Sequence, residues 1–181
     1  MARSTARKRA LNTLYEADEK GEDFRSVLEQ RLVLPGAQTP LPPYAVEIVR
    51  GVAEHRFHLN RVLNDHSSWS INRMAVVDRN ILRIAAWEII YNKEIPSGVA
   101  IDEALQLAKN LSDADSPAFI HAVLSAIADD PDVHPETEKN NDANAKNKGM
   151  ESQNAADTTT TMGAKEPEAG SEPAVEENNG S

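Results

Sequence analysis

Apolar residues recur along the chain at spacings of three and four, the period of a helix. Nowhere do they alternate with the period of two that marks a strand. Leu11, Leu14 and Tyr15 place a first helix over 5–20, with Gly21 as a natural stop. Phe24, Val27, Leu28, Arg31 and Leu32 outline a short second helix, broken at Pro35-Gly36. The prolines at 35, 40, 42 and 43 make 35–43 a loop, and Pro43 suits the first turn of the next helix. Tyr44, Ile48, Val52, His55, Leu59 and Val62 carry that third helix to about Asn64. Residues 65–73 read as irregular, with Trp69 as an anchor.

The following segment, VVDRNILRIAAWEIIYN, is apolar on nearly every side through Val77, Ile81, Leu82, Ile84, Ala85, Trp87, Ile89 and Ile90. A helix apolar all round is a central, buried one. VAIDEALQLAKNL is sharply two-faced instead, with Asp102, Gln106 and Lys109 opposite the apolar arc. The last helix opens with Ser116 as N-cap and Pro117 at its first position. Its apolar side is Phe119, Ile120, Val123, Leu124 and Ile127, with His121 opposite. The periodicity supports one architecture, an all-α bundle of six to seven helices.

Composition then divides the chain. All eight aromatic residues and every Leu and Ile lie before about Asp130. The segment 131–181 has too little apolar surface to offset its ordering entropy and reads as a disordered acidic tail. Residues 1–130 thus form the expected folded domain. Of the net charge of −10, the tail carries −7, and residues 1–15 alone carry +4. Bulk acidity therefore does not argue against a polyanionic partner. The absence of cysteine rules out disulfide, thiolate-metal and cysteine-nucleophile chemistry. No apolar run approaches the roughly 20 residues that cross a bilayer, and no secretory leader is visible. A cytoplasmic protein is the expectation.

Catalytic patterns are missing as well. His55 and His58 are three apart, but no HExxH pattern accompanies them, so no metal is expected. There is no glycine-rich nucleotide loop and no nucleophile elbow, so neither a cofactor nor an enzyme is expected. Arg83, Glu88 and Glu103 interrupt apolar helices, and their simplest reading is as ion pairs at the seams between helices.

The basic N-terminus asks for another explanation. Arg3, Arg7, Lys8 and Arg9 begin the first helix, where the macrodipole makes cations mildly unfavourable. Local stability does not account for them, whereas phosphates of a bound strand would. Tyr15, two turns on from Lys8, offers a ring on which a base can stack.

Three segments together resemble the NusB family of bacterial transcription antitermination factors. ARKRALNTLYEAD is similar to its arginine-rich first helix. VVDRNILRIAAWEII with Ile95-Pro96 and VAIDEALQLAK is similar to its long central signature. DSPAFIHAVLSAI is similar to its closing helix. The resemblance spans about residues 1–129 and implies two packed helical sub-bundles. It implies binding of boxA, a short single-stranded element of ribosomal RNA leader transcripts, together with the ribosomal protein NusE. It further implies joining the elongating RNA polymerase with other Nus factors to suppress termination. By position, Arg3, Arg7 and Tyr15 match the RNA-facing first helix, Asp115 and Phe119 match RNA-adjacent positions of the last helix, and Asp78 matches an acidic position on the NusE side. His121-Ala122 stands where the family carries Asn-Gly. Two other readings compete: a helical protein-interaction module without RNA binding, and a stand-alone relative of the NusB-like domain of ribosomal RNA methyltransferases. Monomer and homodimer are both compatible with the sequence.

Overall fold

The computed structural model describes residues 2–34 and 39–134. Seven α-helices run through them: α1 (Arg3–Lys20), α2 (Phe24–Val33), α3 (Pro43–Glu54), α4 (Arg56–Asp65), α5 (Val76–Tyr91), α6 (Ser97–Leu111) and α7 (Ser116–Asp129). Short 3-10 turns lie at Ile71–Arg73 and Pro131–Val133, and there is no strand among the described residues. Helices α1, α2 and α3 pack together as one sub-bundle, and α4, α6 and α7 gather around α5 as the other. Helix α5 also packs against α1 and α3, so it belongs to both.

Local chemistry places most of the boundaries. Gly21 adopts the left-handed conformation, φ 66°, and the Glu22 N–H closes back on the Ala17 carbonyl at 2.9 Å. Asp23 caps α2 by accepting from the Arg25 and Ser26 N–H groups. Pro43 is the first residue of α3. Two expectations shift. The single helix expected over 43–64 bends at His55, whose φ of −101° and ψ of 17° separate α3 from α4. The bend lets Ile48, Val49 and Val52 serve the first sub-bundle while Leu59, Val62 and Leu63 serve the second. At α7 the N-cap is Asp115, not Ser116, because the Ser116 hydroxyl is drawn to Asp78.

Helix α5 is as buried as its pattern demands. Residues Ile81 to Glu88 are all buried, including Arg83 and Glu88, as are Asp78 and Asn80. The charged ones are paired. Glu88 meets Arg7 at 2.9 Å, and Asp18 Oδ2 receives Arg83 Nη1 at 2.8 Å, Arg79 Nε at 2.9 Å and Asn80 Nδ2 at 3.0 Å. Since α1 joins the end of α5 through Arg7 and its start through Asp18, the two helices run antiparallel. Glycine matters at one other place. A Cβ at Gly51 of α3 would lie 2.0 Å from Trp87 Nε1 of α5, so the two helices approach too closely for any side chain.

The described residues just beyond Asp130 pack against the core. Val133 is buried in the core, and Asp130 accepts from His66 Nε2 at 2.8 Å. The tail expected over 131–181 lies, from residue 135 onward, outside the described residues.

Three outcomes follow. A chain truncated after His134 melts within a few degrees of the full chain. Truncation after Asp130 removes Val133, about 1.5 kcal/mol of burial, and lowers the melting temperature by about 5 °C in a thermal scan. Gly51→Ala destabilises by about 1–3 kcal/mol in denaturant unfolding. Gly98→Ala is the control: a Cβ there meets nothing within 4 Å, and the helix-propensity gain is at most about 1 kcal/mol. The third outcome concerns acid. Burial alone would raise the Asp18 carboxyl, but Arg83 and Arg79 outweigh it and hold the group below its ordinary 3.8. The unfolded chain therefore binds this proton more readily. The stability Asp18 contributes is complete above about pH 5 and drains as pH falls below 3.8 through the folded value. Asp18→Asn lowers stability at pH 7 by about 3–5 kcal/mol and flattens the acid limb of a stability-versus-pH curve.

Candidate nucleic-acid interface

The four N-terminal cations divide when α1 is seen in place. Arg7 is 2% exposed. Its Nε reaches Glu88 Oε1 at 2.9 Å and Oε2 at 3.1 Å, its Nη1 lies 3.4 Å from Glu103, and its guanidinium sits over the Tyr44 ring. The Tyr44 hydroxyl donates to the same Glu88 carboxylate, and burial together with that bond raises its pKa. Burial would lower the Arg7 pKa, but Glu88 and Glu103 overcome it and the pKa rises. Arg7 is thus a fixed buried cation, and the phosphate role expected of it does not fit its place. Leaving the pair would strand Glu88 in the core, which is strongly destabilising.

Arg9 turns toward the proline-rich loop. Its Nη1 donates to Thr39 Oγ1 and to the Pro40 carbonyl, each at 2.9 Å, and its Nη2 donates to the Thr39 carbonyl. It fastens the loop to α1. Arg3 is exposed and pairs at 3.0 Å with Glu94, itself exposed. Such a surface pair is worth about 0–1 kcal/mol, little enough for a phosphate to displace it. Lys8 is exposed, and its side chain makes no hydrogen bond or ion pair among the described residues. Tyr15, 40% exposed, lies seven residues on and so on the same side of α1. A stripe of Thr5, Lys8, Asn12 and Tyr15 faces solvent there.

The second feature lies at the start of α5 and α7. A groove is lined by Trp69, Met74, Ala75, Asp78, Asp113, Asp115, Ser116 and Phe119. Trp69, expected to be an anchor, is 61% exposed, and Ile71 and Met74 take the buried positions instead. Its ring tilts at 50° to that of Phe119, with centroids 6.5 Å apart. Two half-open rings at that separation offer π-faces beside exposed carboxylates at Asp113 and Asp115. Phe119 is half-buried, so it serves the core with one side and the groove with the other.

Asp78 lines this groove but turns its carboxylate inward, where Ser112 and Ser116 donate to it. Both oxygens are engaged within the chain, so the carboxylate that the resemblance places on the NusE side is turned inward. His121 and Ala122 are both exposed, so the methyl that replaces glycine points to no packed neighbour. Trp69 is the groove residue that the sequence reading took for an anchor instead. Its signal was a large ring in an irregular, polar stretch with no apolar periodicity to bury it. Among the described residues no group of three His, Asp or Glu is arranged to hold a metal ion, and no helix is long and apolar enough to cross a membrane.

Comparison with known proteins agrees with this arrangement. The chain is 68% identical over 128 residues to the transcription antitermination protein NusB of Bifidobacterium longum subsp. infantis, covering 70% of this chain and 68% of that protein. It is 43% identical over 135 residues to the corresponding protein of Beutenbergia cavernae, covering 70% and 88%. Among solved structures, NusB of T. maritima superposes with a TM-score of 0.62 at 31% identity, over 71% of this chain and 91% of the other. A crystal structure of antitermination factors NusB and NusE in complex with double-stranded RNA gives 0.58 at 29%, over 70% and 95%. The NusB family model itself matches residues 4–129, from the first turn of α1 to the last residue of α7. Helices, buried joints and groove all fall within that span, and the chain belongs to the NusB family.

Proposed function

We propose that the chain is a transcription antitermination factor. It holds a short single-stranded RNA of the boxA kind jointly with NusE and joins the elongating RNA polymerase with other Nus factors. It acts in the cytoplasm, by binding rather than by catalysis. The family supports this reading, and so does the structural relative bound to NusE and RNA. The observation that carries it on this chain is the open Trp69 ring paired with the half-buried Phe119 beside Asp115, a surface suited to unpaired bases.

The roles divide by chemistry. Lys8 and Arg3 serve phosphates, since both are exposed and neither is needed to hold the fold. Trp69, Phe119 and Tyr15 serve base faces. Asp115 accepts from a base N–H, the kind of group a carboxylate recognises and a phosphate lacks. Arg9 serves indirectly by holding the loop against α1. Two cations give little electrostatic affinity, so NusE supplies much of the remainder.

Labelled boxA RNA and a scrambled RNA, each titrated with and without NusE, test this. NusE tightens binding of boxA more than of the scrambled strand. Trp69→Ala costs about 1–3 kcal/mol of boxA affinity with little change in salt dependence. Lys8→Ala weakens both RNAs alike and reduces the salt slope by about one unit. Arg7→Met instead lowers the melting temperature and leaves the slope unchanged. Equal binding of boxA and scrambled RNA in the presence of NusE would remove the RNA reading. Wild-type affinity in Trp69→Ala would remove the stacking role.

A further inference from the structure

The carboxylate of Asp78 joins three elements. Asp78 stands in the first turn of α5. Ser112 immediately follows α6, and Ser116 is the first residue of α7. Ser116 Oγ donates to Asp78 Oδ2 at 2.8 Å, and Ser112 Oγ donates to Oδ1. The two hydroxyl oxygens are 3.0 Å apart. Asp78 is 7% exposed, and Ser116 is buried as well. The carboxylate therefore holds both ends of the α6–α7 connection against the start of α5.

What the connection carries gives this joint its meaning. Asp115 directly precedes Ser116, and its side chain makes no capping hydrogen bond of its own to α7. Phe119 follows Ser116 by three residues, one turn along the helix, and its ring faces Trp69. A shift of Ser116 by a fraction of an ångström moves both groove residues together. No other polar side chain among the described residues bonds to Ser116.

We propose that Asp78 is a positioning residue for RNA binding. It acts through Ser112 and Ser116 to set where the first turn of α7 presents Asp115 and Phe119. The proposal rests on the reading of the groove as an RNA surface. It differs from a direct contact with NusE, which would need an open carboxylate. It differs also from a purely electrostatic effect. Removing a negative charge beside an RNA site tightens binding, whereas losing the joint weakens it. The sign of the effect separates the two.

The test uses the full chain with Asp78→Asn, the pair Ser112→Ala/Ser116→Ala, and all three changes combined. Asparagine keeps the shape of Asp78 but replaces one acceptor oxygen with an NH2 that cannot accept from a serine. Affinity for labelled boxA RNA is measured in the presence of NusE, with affinity for NusE alone and the salt slope alongside. Asp78→Asn and the serine pair each weaken RNA binding by about tenfold, the order of one lost base–aromatic stack. The combined variant loses no more than either, because all three groups form one joint. NusE affinity without RNA and the salt slope stay at wild-type values. Should Asp78→Asn fail to fold, the serine pair alone decides, since it leaves the carboxylate in place. Tighter or unchanged RNA binding in Asp78→Asn would overturn the proposal. So would wild-type RNA affinity in the serine pair, or a loss of NusE affinity confined to Asp78→Asn. If the unaltered chain itself does not prefer boxA to scrambled RNA, the RNA reading falls first, and that result is distinct from these.

Discussion

Helix α5 is enclosed on all sides, yet its sequence carries Asp78, Asn80, Arg83 and Glu88 into the interior. An ion moved from water into protein loses several kcal/mol of solvation unless it is paired and hydrogen-bonded. Each of these side chains must therefore find a partner on another helix. Glu88 takes Arg7 and Tyr44, Arg83 takes Asp18 and Asn60, Asn80 takes Asp18, and Asp78 takes Ser112 and Ser116. Hydrophobic contact is tolerant of small slides, but these pairs are not. They fix the register of α1 along α5 at two points and the place of the α6–α7 connection at a third.

That requirement also shapes the surface. Arg7 belongs to the same basic run as Lys8, but the helical period turns it 100° away, into the seam where Glu88 waits. The N-terminal cluster is thus partly internal. Arg9 is spent on the loop through Thr39 and Pro40, and Arg3 is loosely held by Glu94. Little of that cluster's positive charge is left for phosphates. On the proposed RNA-binding reading, selectivity comes from rings and carboxylates, and the groove of Trp69, Phe119 and Asp115 has that composition.

The two packed sub-bundles share one more dependence on close approach. Gly51 lets the face of α3 meet Trp87, and the bend at His55, whose ring stacks on Tyr91 at 3.7 Å between centroids, sends α4 toward the second sub-bundle. The first sub-bundle is thereby tied to the central helix by a steric fit at α3 and by charge at α1.

Local pattern along the chain was enough for the all-helical architecture, most of the helix boundaries and the centrality of α5. These are properties of periodicity, of glycine and proline at helix ends, and of apolar content, all of which act over short distances along the chain. The inter-helix ion pairs were legible too, because Arg83, Glu88 and Glu103 are too costly to bury alone. The tertiary structure decided which of four neighbouring cations faces water, that Trp69 is open while Met74 is covered, that Ser116 answers Asp78 rather than capping α7, and that Asp78 looks inward. Each of those depends on residues 30 or more positions away. A side chain's partner across a seam is set by the packing of whole helices, and no local pattern in the chain encodes it.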